Sequence, residues 1–313
     1  MKENTIFVMV CQEVDVSSLN KIHFSPLAIP KCAVIVLSVF NNFFSSSDGG
    51  AVFFRTSGFN VSVDRSSFIN CSCGDNYGGA FYFQDLLGNC SLLRTCAYYC
   101  YGTIGSFFTI DTSKYSQSSL NSFSLCYKSL STANRYNSYY EGGNILIDNL
   151  NCTKNWCGHH ISGLLCWHSL SVRLSYSTFA QNHAGTFVTI DFEGIKGINQ
   201  ISRMNFLNNN VTGGGFGHLL FYGNTLVGEI DNSVFFSNQG LLIYHSPSNL
   251  ILNSCEFDTF PGMGETLNCI TKIHMETLII SNVYNNECTM MNLPTPQLLR
   301  IIQKVIFLTH FMM

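Results

Sequence analysis

Gly49-Gly50-Ala51-Val52-Phe53-Phe54 and Gly78-Gly79-Ala80-Phe81-Tyr82-Phe83 are the same phrase written twice in close succession. Looser copies follow: GSFFTI at 105–110, GGNILI at 142–147, SGLLCW at 162–167, GTFVTI at 185–190, GHLLFY at 217–222 and GLLIYH at 240–245. Self-similarity at a period of roughly 20–30 residues signals a solenoid. One such unit cannot bury its apolar face alone, so the units must stack, each touching only its neighbours.

A second phrase precedes many of these copies. An aliphatic residue is followed five positions later by Phe, and Asn comes two or three after that. Ile35, Phe40 and Asn42 form one example; Val63, Phe68 and Asn70 another; Leu174, Phe179 and Asn182, then Ile201, Phe206 and Asn208, then Ile230, Phe235 and Asn238 repeat it. Each unit therefore reads strand, turn, strand, turn. At about 22–25 residues per coil the chain makes roughly ten coils, and stacking at about 4.8 Å gives a rod on the order of 50 Å long.

Period two along each glycine phrase sets an inward column. Counting from the small residue, the pairs are Val52/Phe54, Phe81/Phe83, Phe107/Thr109, Ile145/Ile147, Leu165/Trp167, Phe187/Thr189, Leu219/Phe221 and Leu242/Tyr244. The alternate positions are apolar as well, which points to a crowded flank or a covering segment. Gly before the strand suits a turn that needs positive φ or close backbone approach. Asn after Phe suits a left-handed turn or an internal hydrogen-bonded ladder. The stretch 111–141 carries no clean copy in its middle and reads as one degenerate coil with a Ser/Asn/Tyr-rich loop.

Composition agrees with stacking. Charged residues are only 11% and hydrophobic ones 46% of the 313 residues, so disorder is excluded and in-register charge repulsion is avoided. A net charge of −3 gives no reason to expect nucleic acid as a partner. No apolar run is long enough for a transmembrane span. The N-terminus has a single six-residue apolar stretch, Ile6–Cys11, which does not make a clear signal peptide. The 14 cysteines read equally as small core fillers or as disulfides. No paired C-x-x-C is present, and neither a metal nor another cofactor is expected. Sequons at Asn60, Asn70, Asn89, Asn151 and Asn210 permit glycosylation in a secreted setting.

Three regions result: 1–30 as an N-terminal segment or cap, 31–292 as the β-helix, and 293–313 as a C-terminal amphipathic segment. In the last, Leu298, Leu299, Ile302, Val305 and Ile306 follow helical spacing. A short helix there would cap the open solenoid end, or touch a membrane surface peripherally through 298–313.

The alternation of GGA-plus-aliphatic with Phe-x-x-Asn, as in GGAVFF, GGAFYF, Phe179-Ala-Gln-Asn182 and Phe235-Phe-Ser-Asn238, resembles the polymorphic outer-membrane protein repeats. The resemblance covers about residues 35–260. It implies an all-β, single-stranded right-handed parallel β-helix and a surface or secreted adhesion-type role, at the cell surface or extracellular. The family's C-terminal membrane barrel has no counterpart in this sequence, so outer-membrane anchoring is not expected.

An interaction module binding a protein or glycan ligand is therefore the first expectation, with tyrosines such as Tyr98, Tyr99, Tyr101, Tyr136, Tyr139 and Tyr140 as contact candidates. The alternative is a β-helix carbohydrate-active enzyme, a polysaccharide lyase or glycoside hydrolase. Its candidate acids are Asp111, Asp148 and Asp191, each closing a similar tripeptide (TID, LID, TID), which could place them in one column. Asp after a strand is more often a turn residue. No Asp-Asp dyad occurs, and His159, His160, His168 and His218 are scattered, so no catalytic site is evident.

Overall fold

The computed structural model describes residues 32–257, apart from 37, 127–135, 159, 186–187, 213–217, 224–226 and 247–248, together with the strands Phe7–Val10, Ile22–Phe24 and Asn268–Ile270. Every regular element among the described residues is a strand. The C-terminal segment 293–313, with its expected helix, lies outside them.

Each coil gives one strand to each of three parallel sheets, named A, B and C in chain order. In the first coil these are Cys32–Val36, Val39–Asn41 and Val52–Arg55; in the second, Asn60–Asp64, Ser67–Ile69 and Phe81–Gln84. From the fifth coil a two-residue strand is added between B and C, at Trp156–Cys157, His183–Ala184 and Asn210–Val211. The chain is a parallel β-solenoid.

The coil length can be followed along sheet A, where Ala33 meets Val61, Val61 meets Cys90, Cys90 meets Ser116, Ser116 meets Ile145 and Ile145 meets Val172. The step is shorter only near the end, where Val227 meets Asn249. Among the described residues eight successive coils supply all three strands, so seven turns separate the first triplet from the last. That is fewer than the ten expected. The second sequence phrase spans two strands and a corner, so each coil has three sides and takes more chain than anticipated. At the N-terminal end, Phe7–Val10 pairs antiparallel with Cys32–Val36, and Ile22–Phe24 adds a parallel strand beside Val52–Arg55.

The two sharp corners repeat one backbone device. Between sheets A and B, Arg65, Arg94, Leu120, Asn149, Tyr176, Arg203, Asn232 and Ser254 all have φ of 48–55°. After sheet B, Asn42, Asn70, Tyr99, Leu125, Lys154, Gln181, Asn208 and Ser237 have φ of 51–60°. A non-glycine residue in this region costs about 1 kcal/mol or more. At many corners the side chain one residue further on offsets the cost by bonding to the backbone of an adjacent coil; after the first corner Ser66, Asn121, Ser177 and Ser233 accept from it. After the second corner these are asparagines in coils five to eight: Asn155, Asn182, Asn209 and Asn238. The amides of Asn155, Asn182 and Asn209 each donate to the next Asn Oδ1 at 3.0 Å. Their Nδ2 groups donate to the same oxygen at 3.0–3.1 Å. The two Phe-to-Asn spacings thus do different work. Asn at plus two (Asn42, Asn70, Asn208) turns the corner, and Asn at plus three (Asn182, Asn238) builds the internal ladder.

Sheet B carries the central stack. Phe40 and Phe68 lie 4.7 Å apart, as do Phe206 and Phe235, and Phe235 and Phe257, all nearly coplanar. Ala97 interrupts the column, and Phe107 reaches across from sheet C to fill the gap, 5.6 Å from Phe68 and 4.5 Å from Phe123. In the first two coils the small residues Ala51 and Ala80 occupy the Phe107 position, so large and small exchange places and volume is conserved.

The stretch 111–126 is regular, not degenerate. Tyr115–Ser119 and Ser122–Ser124 continue sheets A and B in full register, with Ser116 and Ser118 inward where other coils place aliphatics.

The inward assignment in sheet C holds for the first two coils and slips afterwards. Phe108 and Ile110, Ser138 and Tyr140, Leu164 and Cys166, and Ile190 and Phe192 align with Val52 and Phe54. Thr109, Leu165 and Trp167 belong to the outer face. The register shifts between Ile104 and Phe108 and again in the next coils, which moves the phase by one residue relative to the small residue. GGNILI does not belong to this sheet: Asn144–Asp148 lies in sheet A. In the next two coils the register sets Leu220, not Leu219, beside Ile190, and Ile243, not Leu242, beside Leu220.

One buried acid closes a turn. Asp85 accepts from Thr56 Oγ1 at 2.8 Å and from the amides of Gly58, Phe59 and Leu87 at 2.7, 2.6 and 2.9 Å. Desolvation pushes its pKa up, but these four donors together outweigh it and hold the group below the usual carboxylate value. The folded pKa is depressed, so this contribution is complete above about pH 4 and disappears as pH falls through the folded value. Asp85→Ala should lower stability at pH 7 by about 2–4 kcal/mol, with the gap to wild type narrowing below about pH 3. Urea titrations at pH 7 and pH 3 check this; a pH-independent gap would refute the assignment.

Candidate functional site

The outer face of sheet C is the surface least explained by stacking. In register along it run Phe53, Tyr82, Thr109, Tyr139, Leu165 and Asp191. Two residues on, a second column reads Arg55, Gln84, Asp111, Glu141, Trp167 and Glu193. On the other side, before the register shift, lie Tyr77, Ile104, Tyr136 and Ile161. An outward face that alternates with a filled core should be polar. Here it is aromatic and acidic.

The features concentrate in coils four to six. Tyr139, Ile161 and Leu165 form a buried apolar cluster, with Tyr136, Ile104 and Trp167 half-buried against it. Tyr136 stacks on Tyr139 at 5.6 Å and lies 5.8 Å from the His160 ring. Trp167 is 6.2 Å from Tyr139 and stacks on His168 at 4.5 Å. Trp156 stacks on His183 at 6.0 Å with 8° between the planes. The only two tryptophans of the chain thus belong to one coil. One sits on the short strand before sheet C, the other at its far end.

Carboxylates edge this floor. Tyr139 Oη donates to Glu141 Oε2 at 2.7 Å, and burial together with that bond pushes the phenol pKa up. Asp191, half-buried beside Leu165, is raised well above the usual carboxylate range, first by desolvation and then by the Glu193 charge. Its Oδ1 is fully covered and has no hydrogen-bond partner, and neither has the covered Nε1 of Trp167 in the neighbouring coil. Burial lowers His183.

The three acids of the sequence analysis do not assemble. Asp148 is on sheet A, accepting from Asn149 Nδ2 at 2.6 Å and Ser175 Oγ at 2.8 Å, a ladder role. Asp111 and Asp191 share sheet C but stand in different columns and three coils apart, about 14 Å at about 4.8 Å per coil. Asp111 instead accepts from Gln84 Nε2 at 2.9 Å and neighbours Glu141 in register.

Among the tyrosine candidates, Tyr136 and Tyr139 are part of the floor. Tyr140 points into the core, Tyr98 and Tyr99 pack together on the sheet B side, and Tyr101 bridges to Ser72 beyond the second corner. Glu141, Trp156, Trp167, Glu193 and the His160 and His183 rings are not grouped by the sequence patterns. Glu141, Trp167 and Glu193 are in register along the strands that carry Tyr139, and Trp156 meets His183 in a separate short ladder; both alignments require the phase of each coil. Among the described residues no group of three His, Cys, Asp or Glu is placed to hold a metal. Nor does any helix among them have the length and apolarity to cross a membrane. Comparison with protein-family models, curated proteins and solved structures found no match.

Proposed function

We propose that this chain is a surface or secreted β-solenoid of adhesion type that binds a glycan along the outer face of sheet C. The observation that carries the reading is the aromatic floor of coils four to six, bordered by Glu141, Asp191 and Glu193 and holding two covered polar atoms without partners. Sugar rings present apolar faces to aromatic rings and hydroxyls to carboxylates. The likeness of the repeats to polymorphic outer-membrane proteins supports the extracellular setting.

Glycan-array screening of the full chain, followed by calorimetry on the best hit, tests this. Trp167→Ala should weaken binding at least tenfold, about 1.4 kcal/mol, while Tyr115→Ala on the exposed face of sheet A leaves it unchanged. Equal loss from both, or from neither, would remove the face from consideration.

One observation favours a second reading as a glycoside hydrolase. Asp191 and Glu193 lie on the same outer side of one strand, about 6.7 Å apart along it, within the span that paired carboxylates use. Burial and the Glu193 charge raise the Asp191 pKa, the direction a general acid requires. Release of reducing ends from the bound glycan, abolished by Asp191→Asn with binding intact, would establish hydrolysis.

A further inference from the structure

We propose that Cys71, Cys100 and Cys126 form a cross-linking site centred on Cys100, in which one disulfide at a time joins neighbouring coils. The three residues hold the same position in three successive coils, each directly after the left-handed residue of the second corner: Asn70, Tyr99 and Leu125. All three are buried in the core. The thiol of Cys71 donates to the Phe40 carbonyl at 3.4 Å, that of Cys100 to the Phe68 carbonyl at 3.4 Å, and that of Cys126 to the Ser124 carbonyl at 3.5 Å. Cys100 lies within hydrogen-bonding reach of both other thiols. A coil rise of about 4.8 Å falls inside the Cα separation of about 4.4–6.8 Å that a disulfide spans.

The site is bounded and has an odd count. Phe43 precedes it in the column and Asn155 follows, so no fourth thiol continues it. Cys90, Cys152 and Cys166 are equally buried, but their in-register neighbours are Val61 and Ser116, Phe123 and Phe179, and Tyr140 and Phe192. They serve as internal controls. Cys32 and Cys96 are disulfide-bonded.

The chemistry is thiol–disulfide exchange with a low-molecular-weight disulfide such as oxidised glutathione. One protein thiolate attacks it, releasing one small thiol and leaving a mixed disulfide. The neighbouring protein thiolate then displaces the second small thiol and forms the intercoil S–S bond. Two protein thiols lose two electrons and two protons in all, and the small disulfide becomes two thiols. Burial raises the Cys71 and Cys126 thiols, while Cys100, although buried, is lowered by its hydrogen bonds with those two and is the attacking thiolate; burial of all three keeps the small disulfide away from it in the closed coil. The bond therefore forms while the chain is folding or locally open, and is shielded from reductant once the coil closes. Since Cys100 can bond only one neighbour, each oxidised molecule keeps one free thiol at Cys71 or Cys126.

The full chain, refolded with oxidised and reduced glutathione, is denatured in an alkylating agent without reductant and mapped by tryptic mass spectrometry. Cleavage at Arg94 and Lys114 places the three cysteines on separate peptides, and fragmentation assigns the linked residue within each. Cys100 should be found linked to Cys71 or Cys126, with the other alkylated. Cys71→Ser should drive Cys100 wholly to Cys126, and Cys126→Ser wholly to Cys71. Cys100→Ser should leave Cys71 and Cys126 both alkylated. If Cys100→Ser does not fold, the two flanking variants decide. Full alkylation of Cys100 while Cys32 and Cys96 remain linked would overturn the proposal, as would linkage of Cys90, Cys152 or Cys166 at equal yield.

Discussion

Gly79→Ala should cost the chain at least about 4–5 kcal/mol, enough to leave it insoluble at ordinary expression temperatures. The reason is space, since Gly79 is not among the glycines of positive φ. A Cβ at this position would overlap the Ser106 carbonyl oxygen and the backbone of Tyr101, both in the next coil. Neither is the free end of a side chain, so the two coils would have to part along the hydrogen bonds that Gly78, Gly79 and Ala80 make to Ile104, Gly105 and Phe107. Gly74 supplies the comparison. Its φ of +65° strains any replacement, yet nothing lies within 4 Å of its absent Cβ. Gly74→Ala should cost only about 1 kcal/mol. Soluble yield and urea midpoints of the two variants measure this; equal costs would mean that coil-to-coil approach at Gly79 is not limiting.

Asn182→Ala is the second large effect, about 3–5 kcal/mol. Asn182 is fully buried, and its Oδ1 accepts from the amide and the Nδ2 of Asn155 at 3.0 and 3.1 Å. Its Nδ2 donates to the Cys152 carbonyl at 2.9 Å and to Asn209 Oδ1 at 3.1 Å. Truncation leaves the buried Asn155 amide without its acceptor and takes one bond each from the Asn155 carboxamide, the Cys152 carbonyl and Asn209 Oδ1, where water cannot replace what is lost. Asn208→Ala, at the solvent-exposed corner of the next coil with φ of 53°, should cost about 1 kcal/mol. Chemical denaturation of both separates ladder from corner. A cost for Asn182→Ala no larger than that for Asn208→Ala would show that the ladder adds little.

The solenoid and its parallel strands were legible because the glycine phrase and the Phe–Asn phrase report backbone requirements that every coil shares. Phase was harder. Counting from the small residue fails at Gly105-Ser106-Phe107, since Phe107 aligns with Ala80. Counting from the glycines of positive φ, Gly49, Gly78 and Gly105, keeps the register through the third coil. Similar tripeptides misled for the same reason. The aspartates of TID at 109–111 and TID at 189–191 occupy different columns, and LID at 146–148 is on another sheet. The candidate site depends on which residues meet across coils, and a one-residue slip exchanges inner and outer faces. The cysteine column shows the same limit: the unequal intervals from Cys71 to Cys100 and from Cys100 to Cys126 look unrelated until the corners are aligned.

The corner bonds also have a direction. Ser38, Thr95, Leu150 and Met204 donate their amides to side chains of the following coil, as do Cys126, Asn155, Asn182 and Asn209. None of these coils completes its own corners; each waits for the one made after it. During synthesis the newest coil presents open donors toward the chain still to come, and it becomes fully bonded only when its successor docks. A chain interrupted after any of these coils would end in a surface of open donors that fits one more of the same.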